Sequence, residues 1–237
     1  MKSFNSTPRK RQGGLSLIEL MIALVLGLVV VSAVFNTFLG SSRSARFSQG
    51  LQELQENGRY GITTLQRAIR LAGYSPEGNL DEPFDIINSD DSTIVIRTTE
   101  IYDCNGQSTA GVSGVAINTY AHDDVNDTIT CTGNVGGAPM DVVEGVEAMR
   151  FLWGIDSDGN GIPESYIPYT ATIDSSEVVA MRVAILVRSD EPIRSRAGEE
   201  THVLLDQEIP SNDKIARHVF SATVVASQQV RLRTPGI

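Results

Sequence analysis

The chain has 237 residues, 20% of them charged, with a formal net charge of −10, two cysteines and three histidines. Its first fourteen residues hold four of the nineteen basic side chains and none of the twenty-nine acidic ones, so the remainder carries a formal charge of −14. That acidity repels phosphate backbones and excludes general nucleic-acid binding, and the local pair Arg67 and Arg70 reads as a solvated helix face.

Lys2, Arg9, Lys10 and Arg11 precede Gly14, and from residue 15 to residue 39 the only ionisable side chain is Glu19. Residues 20–39, as a helix, would rise roughly 30 Å, enough to cross the hydrocarbon of a bilayer. The basic leader outweighs Arg43 and Arg46 beyond the apolar run, so the positive-inside rule puts the N-terminus in the cytoplasm and the bulk of the chain outside. A secretory signal has a shorter apolar stretch followed by its cleavage site, whereas here the glycine comes first. The order of basic leader, glycine, apolar run and early glutamate resembles the class III signal of type IV prepilins. That resemblance implies cleavage between Gly14 and Leu15 by a prepilin peptidase and N-methylation of Leu15, although the family most often presents phenylalanine there. It also implies that Glu19, fifth from Leu15, pairs with the α-amino group of a neighbouring subunit during assembly. Physically, a carboxylate in a spanning helix costs a few kcal/mol unless a partner neutralises it or it reaches interfacial water.

Beyond the apolar run, Leu51, Leu54, Gly58, Ile62, Leu65, Ile69 and Ala72 recur at steps of three and four, the stripe of an amphipathic helix. The spacing predicts an N-terminal helix over 15–75 with its transmembrane part at about 17–39. Gly40, Gly50, Gly58 and Gly61 predict bends or local melting within it, and Gly73 followed by Pro76 predicts its end.

After Pro76 the pattern changes to β-like runs at Thr93–Thr98, 142–153, Val178–Arg188 and 219–232, separated by turn residues. Alternation at Met181, Val183, Ile185 and Val187, and at Met149, Phe151 and Trp153, predicts strands with one buried face. Stretches 108–114 and 133–139 predict loops. The fold class is therefore α+β: a leader over 1–14, the long helix over 15–75, and one β-sheet-rich head over 76–237. Cys104 and Cys131, an even pair in an exported domain, predict one disulfide.

Within this layout, the residues from Leu54 to Tyr60 (LQENGRY), Ile69 to Tyr74 (IRLAGY), Val143 to Arg150 (VEGVEAMR), Trp153 to Asp156 (WGID) and the closing Val230 to Arg233 (VRLR) resemble the PilW family of minor pilins. The resemblance implies a type IV pilin-like fold and a low-abundance subunit that primes or caps pilus assembly. The implied partners are other minor pilins, the major pilin, the inner-membrane assembly platform and the prepilin peptidase. The implied location is the bacterial inner membrane as a single-pass protein with a periplasmic head, incorporated into the pilus. Ala23, Gly27 and Ser32 are candidate small-residue contacts between helices in lipid. A type II secretion minor pseudopilin would share this architecture, and an adhesive pilus-tip subunit could present the head loops to a ligand. A tethered sensor would need a cytoplasmic output domain that fourteen leader residues do not supply.

One segment carries possible metal chemistry. Asp156, Asp158, Asn160 and Glu164 stand at the first, third, fifth and ninth positions of a calcium-type loop, with Gly161 sixth and the Ile162 carbonyl available at the seventh. The twelfth position is Ile167 where a bidentate glutamate is required, and a purely conformational Asp/Asn/Gly turn uses the same letters. Both readings stand on the sequence. Catalytic motifs are missing, and His122, His202 and His218 are scattered, so the sequence predicts no enzyme.

Overall fold

The computed structural model describes residues 14, 16–76, 80, 82–112 and 114–226. Helix α1 runs unbroken through Leu17–Leu71. Glu19 lies in its first turn, where a negative charge complements the exposed backbone N–H groups, and the Ser16 N–H donates to Glu19 Oε2 at 3.3 Å. The helix stops where Gly73 takes φ 76°, a conformation open to glycine, and the Gly73 N–H donates to the Arg97 carbonyl at 2.9 Å.

The chain divides into two compact units, Met1–Arg46 and Phe47–Ile237, so the division falls inside the helix. In the first unit the apolar side chains of α1 face outward, with Leu17 75% and Leu28 69% exposed. In the second unit Leu54, Gly58, Gly61, Leu65, Ala68 and Ile69 form the buried face, as their spacing predicts. Each aliphatic side chain buried there contributes about 2 kcal/mol.

The local melting predicted at glycines does not occur, since the helix continues through Gly40, Gly50, Gly58 and Gly61. A β-carbon at Gly58 would come within 2.0 Å of the Phe220 ring, one at Gly61 within 2.8 Å of Ile185 Cδ1, and one at Gly50 within 3.0 Å of Ile193 Cγ2. These glycines let the head approach the helix backbone, and packing offsets their poor helix propensity.

Among the described residues, the head contains two four-stranded antiparallel sheets and a ribbon. Strands β1 (Thr93–Thr98), β2 (Ala116–Asp123), β3 (Thr128–Gly133) and β4 (Met140–Glu144) form the first sheet in sequence order. Strands β5 (Val146–Ile155), β6 (Ser165–Ile167), β7 (Val178–Arg188) and β10 (Arg217–Val225) form the second, in the order β10-β7-β5-β6. Strands β8 (Gly198–Leu204) and β9 (Gln207–Asp213) make the two-stranded ribbon.

The single run predicted over 142–153 is thus two strands in different sheets. Gly145, at φ 70°, turns the chain from one to the other, and its carbonyl accepts from the Arg188 N–H at 2.8 Å. The one-faced reading of β7 is also corrected. Met181, Val183, Ile185 and Val187 join the core that contains Leu54, Leu65 and Ile69, while Ala184 and Leu186 are buried with Leu204 of the ribbon. Strand β7 is covered on both faces, which explains why its sequence is apolar almost throughout.

Candidate functional site

Three features bear on function. At the N-terminus, Glu19 is the only charged side chain between Leu17 and Leu39, and its carboxylate turns back toward the helix start. The span containing it is long and apolar enough to cross a membrane, with none of its most apolar window buried. Leu15, the expected processed and methylated residue, the leader before Gly14 and the closing Val230 to Arg233 stretch lie outside the described residues.

In the head, Cys104 and Cys131 are joined, with their α-carbons 6.3 Å apart. The bridge ties the loop after β1 to β3, and closing a span of 27 residues constrains the unfolded chain by roughly 3.5 kcal/mol in the entropy model. Buried Asp103 supports the same loop, accepting from the N–H groups of Asn105 at 3.0 Å, Gln107 at 2.8 Å and Val135 at 3.2 Å. Bridge and helix together border a cleft of about 450 Å³, lined on one side by Tyr60, Thr63 and Arg67 and on the other by Glu100 and Tyr120. Burial, reinforced by Glu100, pushes the Tyr120 phenol up.

The calcium-like segment forms a tight loop after β5. The Asp156 carboxylate is fully buried and accepts from the N–H groups of Gly159 at 2.8 Å, Asn160 at 3.1 Å and Gly161 at 2.9 Å. Gly159 and Gly161 have φ values of 77° and 84°, which explains why glycine stands at both positions. Asp156, Asp158 and Glu164 bring carboxylate oxygens within 4.8 Å of one another. Of the remaining predicted ligands, Asn160 accepts from the Ile162 N–H through its Oδ1 at 2.7 Å. Ile167 lies in β6 and offers no acidic ligand.

Two arginine clamps escaped the sequence reading. Arg150 of β5 is buried and donates from Nε and Nη2 to the two oxygens of Asp206, both at 2.8 Å, while Nη1 pairs with Asp91. Arg217 of β10 donates to both oxygens of Asp213 at 2.7 and 2.8 Å and also pairs with Glu147. These fork-shaped bonds fasten the ribbon turn and its last residue onto the second sheet. Hydrogen bonds from Arg217 hold the Asp213 carboxyl at about 2, and those from Arg150 lower that of Asp206. The available signal was a charged residue between Met149 and Phe151, inside an otherwise apolar strand.

A long helix with an apolar exposed half and an amphipathic half seated on an antiparallel head is the architecture of a pilin subunit. Residues 109–227 match the family model for the type IV pilus-assembly protein W, and residues 9–35 match the prokaryotic N-terminal methylation motif. The chain belongs to the PilW family and is a type IV pilus minor pilin. The matched region includes the Val143 to Asp156 signature, whereas the helix signature and the closing stretch lie outside it. No curated protein matches the chain. Among solved structures it is similar to a type IV-like pilin from Thermus thermophilus, with 15% identity, 76% of this chain and 98% of that chain covered, and a TM-score of 0.44. The family assignment rests on the two sequence models and not on that likeness. Membership makes the chain a structural component that interacts with other parts of the pilus, and neither the pseudopilin nor the adhesin reading is favoured over it.

Proposed function

We propose that the chain enters the inner membrane with its N-terminus in the cytoplasm and its head in the periplasm. The prepilin peptidase cuts it between Gly14 and Leu15, and Leu15 is then methylated. The subunit primes or caps the pilus with other minor pilins beneath the major one, on the inner-membrane assembly platform. Its work is polymerisation, not turnover.

The observation that carries this reading is the outward apolar surface of α1 between Leu17 and Leu39, interrupted by one carboxylate. Such a surface needs lipid or other helices around it, and a lone carboxylate on it is costly unless a cation neutralises it or it reaches interfacial water. The α-amino group of an adjacent processed subunit supplies that cation for Glu19. Complementation of a strain lacking this protein tests the role: the wild-type chain restores surface pili, whereas Glu19→Ala reaches the membrane and is not incorporated. Normal incorporation of Glu19→Ala would reject the pairing.

A weak calcium site at the Asp156 loop is proposed alongside, because Asp156, Asp158 and Glu164 converge there. Asn160 and the Ile162 carbonyl complete the proposed oxygen set. The affinity belongs in the millimolar range of extracellular modules, since the twelfth-position glutamate is replaced by Ile167.

A further inference from the structure

The far end of the apolar span carries two charges that the assembly reading leaves unused. Between residue 20 and residue 52 the only ionisable side chains are Arg43 and Arg46. Both are exposed on α1 and stand three positions apart, so they share one side of the helix. The nearest acidic residues along the helix are Glu19 before them and Glu53 after them, 24 positions from Arg43 and seven from Arg46. Neither falls at the three- or four-residue spacing that pairs helical side chains. The local surroundings are Gly40, Ser41, Ser42, Ser44 and Ala45, so the segment is cationic with no carboxylate to offset it.

Helix rise sets the distance of this pair from the span. From Glu19 the helix climbs about 36 Å to Arg43 and about 40 Å to Arg46. The hydrocarbon of a bilayer is about 30 Å thick, and about 40–45 Å with both headgroup layers. With Glu19 at one hydrocarbon edge, the arginine α-carbons stand about 6 and 10 Å beyond the other, at the level of the headgroups or just outside them. Bonds from α- to β-carbon in a helix lean toward its N-terminus, which is the membrane side for these two residues, and long arginine side chains extend that lean. The proposed cleavage after Gly14 removes all four basic side chains of the leader, which leaves Arg43 and Arg46 as the only basic side chains of the processed chain before Arg59.

We propose that Arg43 and Arg46 bind the headgroup phosphates of the leaflet on the head side of the span. Guanidinium donors fork onto phosphate oxygens, and basic side chains close to an anionic membrane surface are drawn to it. Lipid is favoured over another subunit's carboxylates because the two side chains reach the headgroup layer of a span that needs lipid around it before assembly. Bound this way, the pair fixes that end of the helix at the headgroup layer once the leader has gone. The inference rests on the membrane-anchored reading and adds the ligand that holds the other end of the span.

The test is carbon-to-phosphorus dephasing in solid-state NMR of the full chain, isotopically labelled at the arginine guanidino carbon. The protein is reconstituted in vesicles of phosphatidylethanolamine and phosphatidylglycerol in phosphate-free buffer, so that every phosphorus nucleus belongs to lipid. Wild type is compared with Arg43→Gln combined with Arg46→Gln. Glutamine has much the same helix propensity as arginine and both sites are exposed, so the variant keeps the fold. Flotation with the vesicles and protease protection of the span are read on the same samples. The expected result is a guanidino signal dephased by lipid phosphorus in wild type and loss of that dephased signal in the double variant. An uncut leader, with Arg9 and Arg11, would be present in both samples alike, so the difference isolates Arg43 and Arg46. Equal dephasing in the two proteins, or none in wild type, would overturn the proposal; where wild type still floats with a protected span, the membrane-anchored reading survives. Wild-type protein that neither floats nor protects its span would sink both.

Discussion

The ring of Phe220 in β10 occupies the space that a side chain on Gly58 of α1 would fill, with its Cε2 only 2.0 Å from where that β-carbon would sit. This relationship converts a residue that weakens helices into one that allows the head to seat on α1. Replacing Gly58 with Ala gains about 1 kcal/mol of helix propensity but forces the ring out of a packed site, a cost of about 1–3 kcal/mol and sometimes more. The expected net result is lower thermal stability of the detergent-solubilised full chain. Gly61→Ala, facing the flexible end of Ile185, is expected to be milder, and Gly50→Ala against Ile193 close to neutral. Equal effects at all three positions would contradict the packing account.

The glycine pattern marks where sequence reading succeeded and where it ran short. The three-and-four spacing of Leu54, Leu65 and Ile69 identified the buried helix face, because burial there follows local periodicity. Whether Gly58 would bend the helix or admit a neighbour depended on Phe220, 162 positions away in the chain. Strands β1 and β7 were legible as apolar runs of β-formers. Strands β2, β3, β8 and β9 were not, because half or more of the residues in each are polar and their apolar contacts come from tertiary packing. Pro210 within β9 further masked that strand, and is tolerated because the ribbon has only two strands. Among the candidate sites, the residues of the Asp156 loop were visible as a motif. The Arg150 clamp was not, because Asp91 and Asp206 are remote in sequence.

Arg150 gives a stability prediction. Removing it as Arg150→Ala leaves Asp206 and Asp91 without their shared cation and should cost about 2 kcal/mol, below the usual value for a fully buried pair because both carboxylates keep some solvent. Arg150→Lys should recover part of this, since it keeps the charge and loses the fork. Chemical denaturation of the three proteins checks the order.

The two clamps also set an acid dependence. The folded-state pKa of Asp213 is held at about 2 by hydrogen bonds from Arg217, and that of Asp206 is lowered by those from Arg150, both from an ordinary value of 3.8. Depressed carboxyl values mean that the unfolded chain takes up protons first. Their contribution is therefore complete above about pH 4 and is lost as the pH falls toward 2. Thermal unfolding between pH 5 and pH 2 should show a steeper loss for wild type than for the double variant Arg150→Ala with Arg217→Ala; parallel profiles would count against the clamps.

Asp156 and Asp158 separate the structural from the metal role of their loop. Asp156→Asn keeps Oδ1 for the Gly159 and Asn160 N–H groups but turns the buried acceptor of the Gly161 N–H into an NH2 donor, and should lower stability by about 1–3 kcal/mol whether or not calcium is present. Asp158→Asn should leave the calcium-free protein nearly unchanged and abolish the calorimetric response to millimolar calcium. No heat from the wild-type protein would dismiss the calcium proposal and leave the Asp156 prediction standing.

The small residues of the apolar span make a prediction about assembly. Nothing lies within 4 Å of where a β-carbon on Gly27 would stand, so Gly27→Leu should not disturb the isolated subunit. If that position meets a neighbouring helix, the same change should sharply reduce incorporation into pili at normal membrane levels. Unchanged piliation would place Gly27 against lipid.

The most direct test of the central claim is the intact mass and N-terminal peptide of the protein from its native membrane, compared with the same protein from a strain lacking the prepilin peptidase. The account predicts a mature chain starting at Leu15 with a methylated amino group, and the uncut chain in the deficient strain. An identical Met1 start in both strains would contradict it, and the roles proposed for Gly14, Leu15 and Glu19 would fall together.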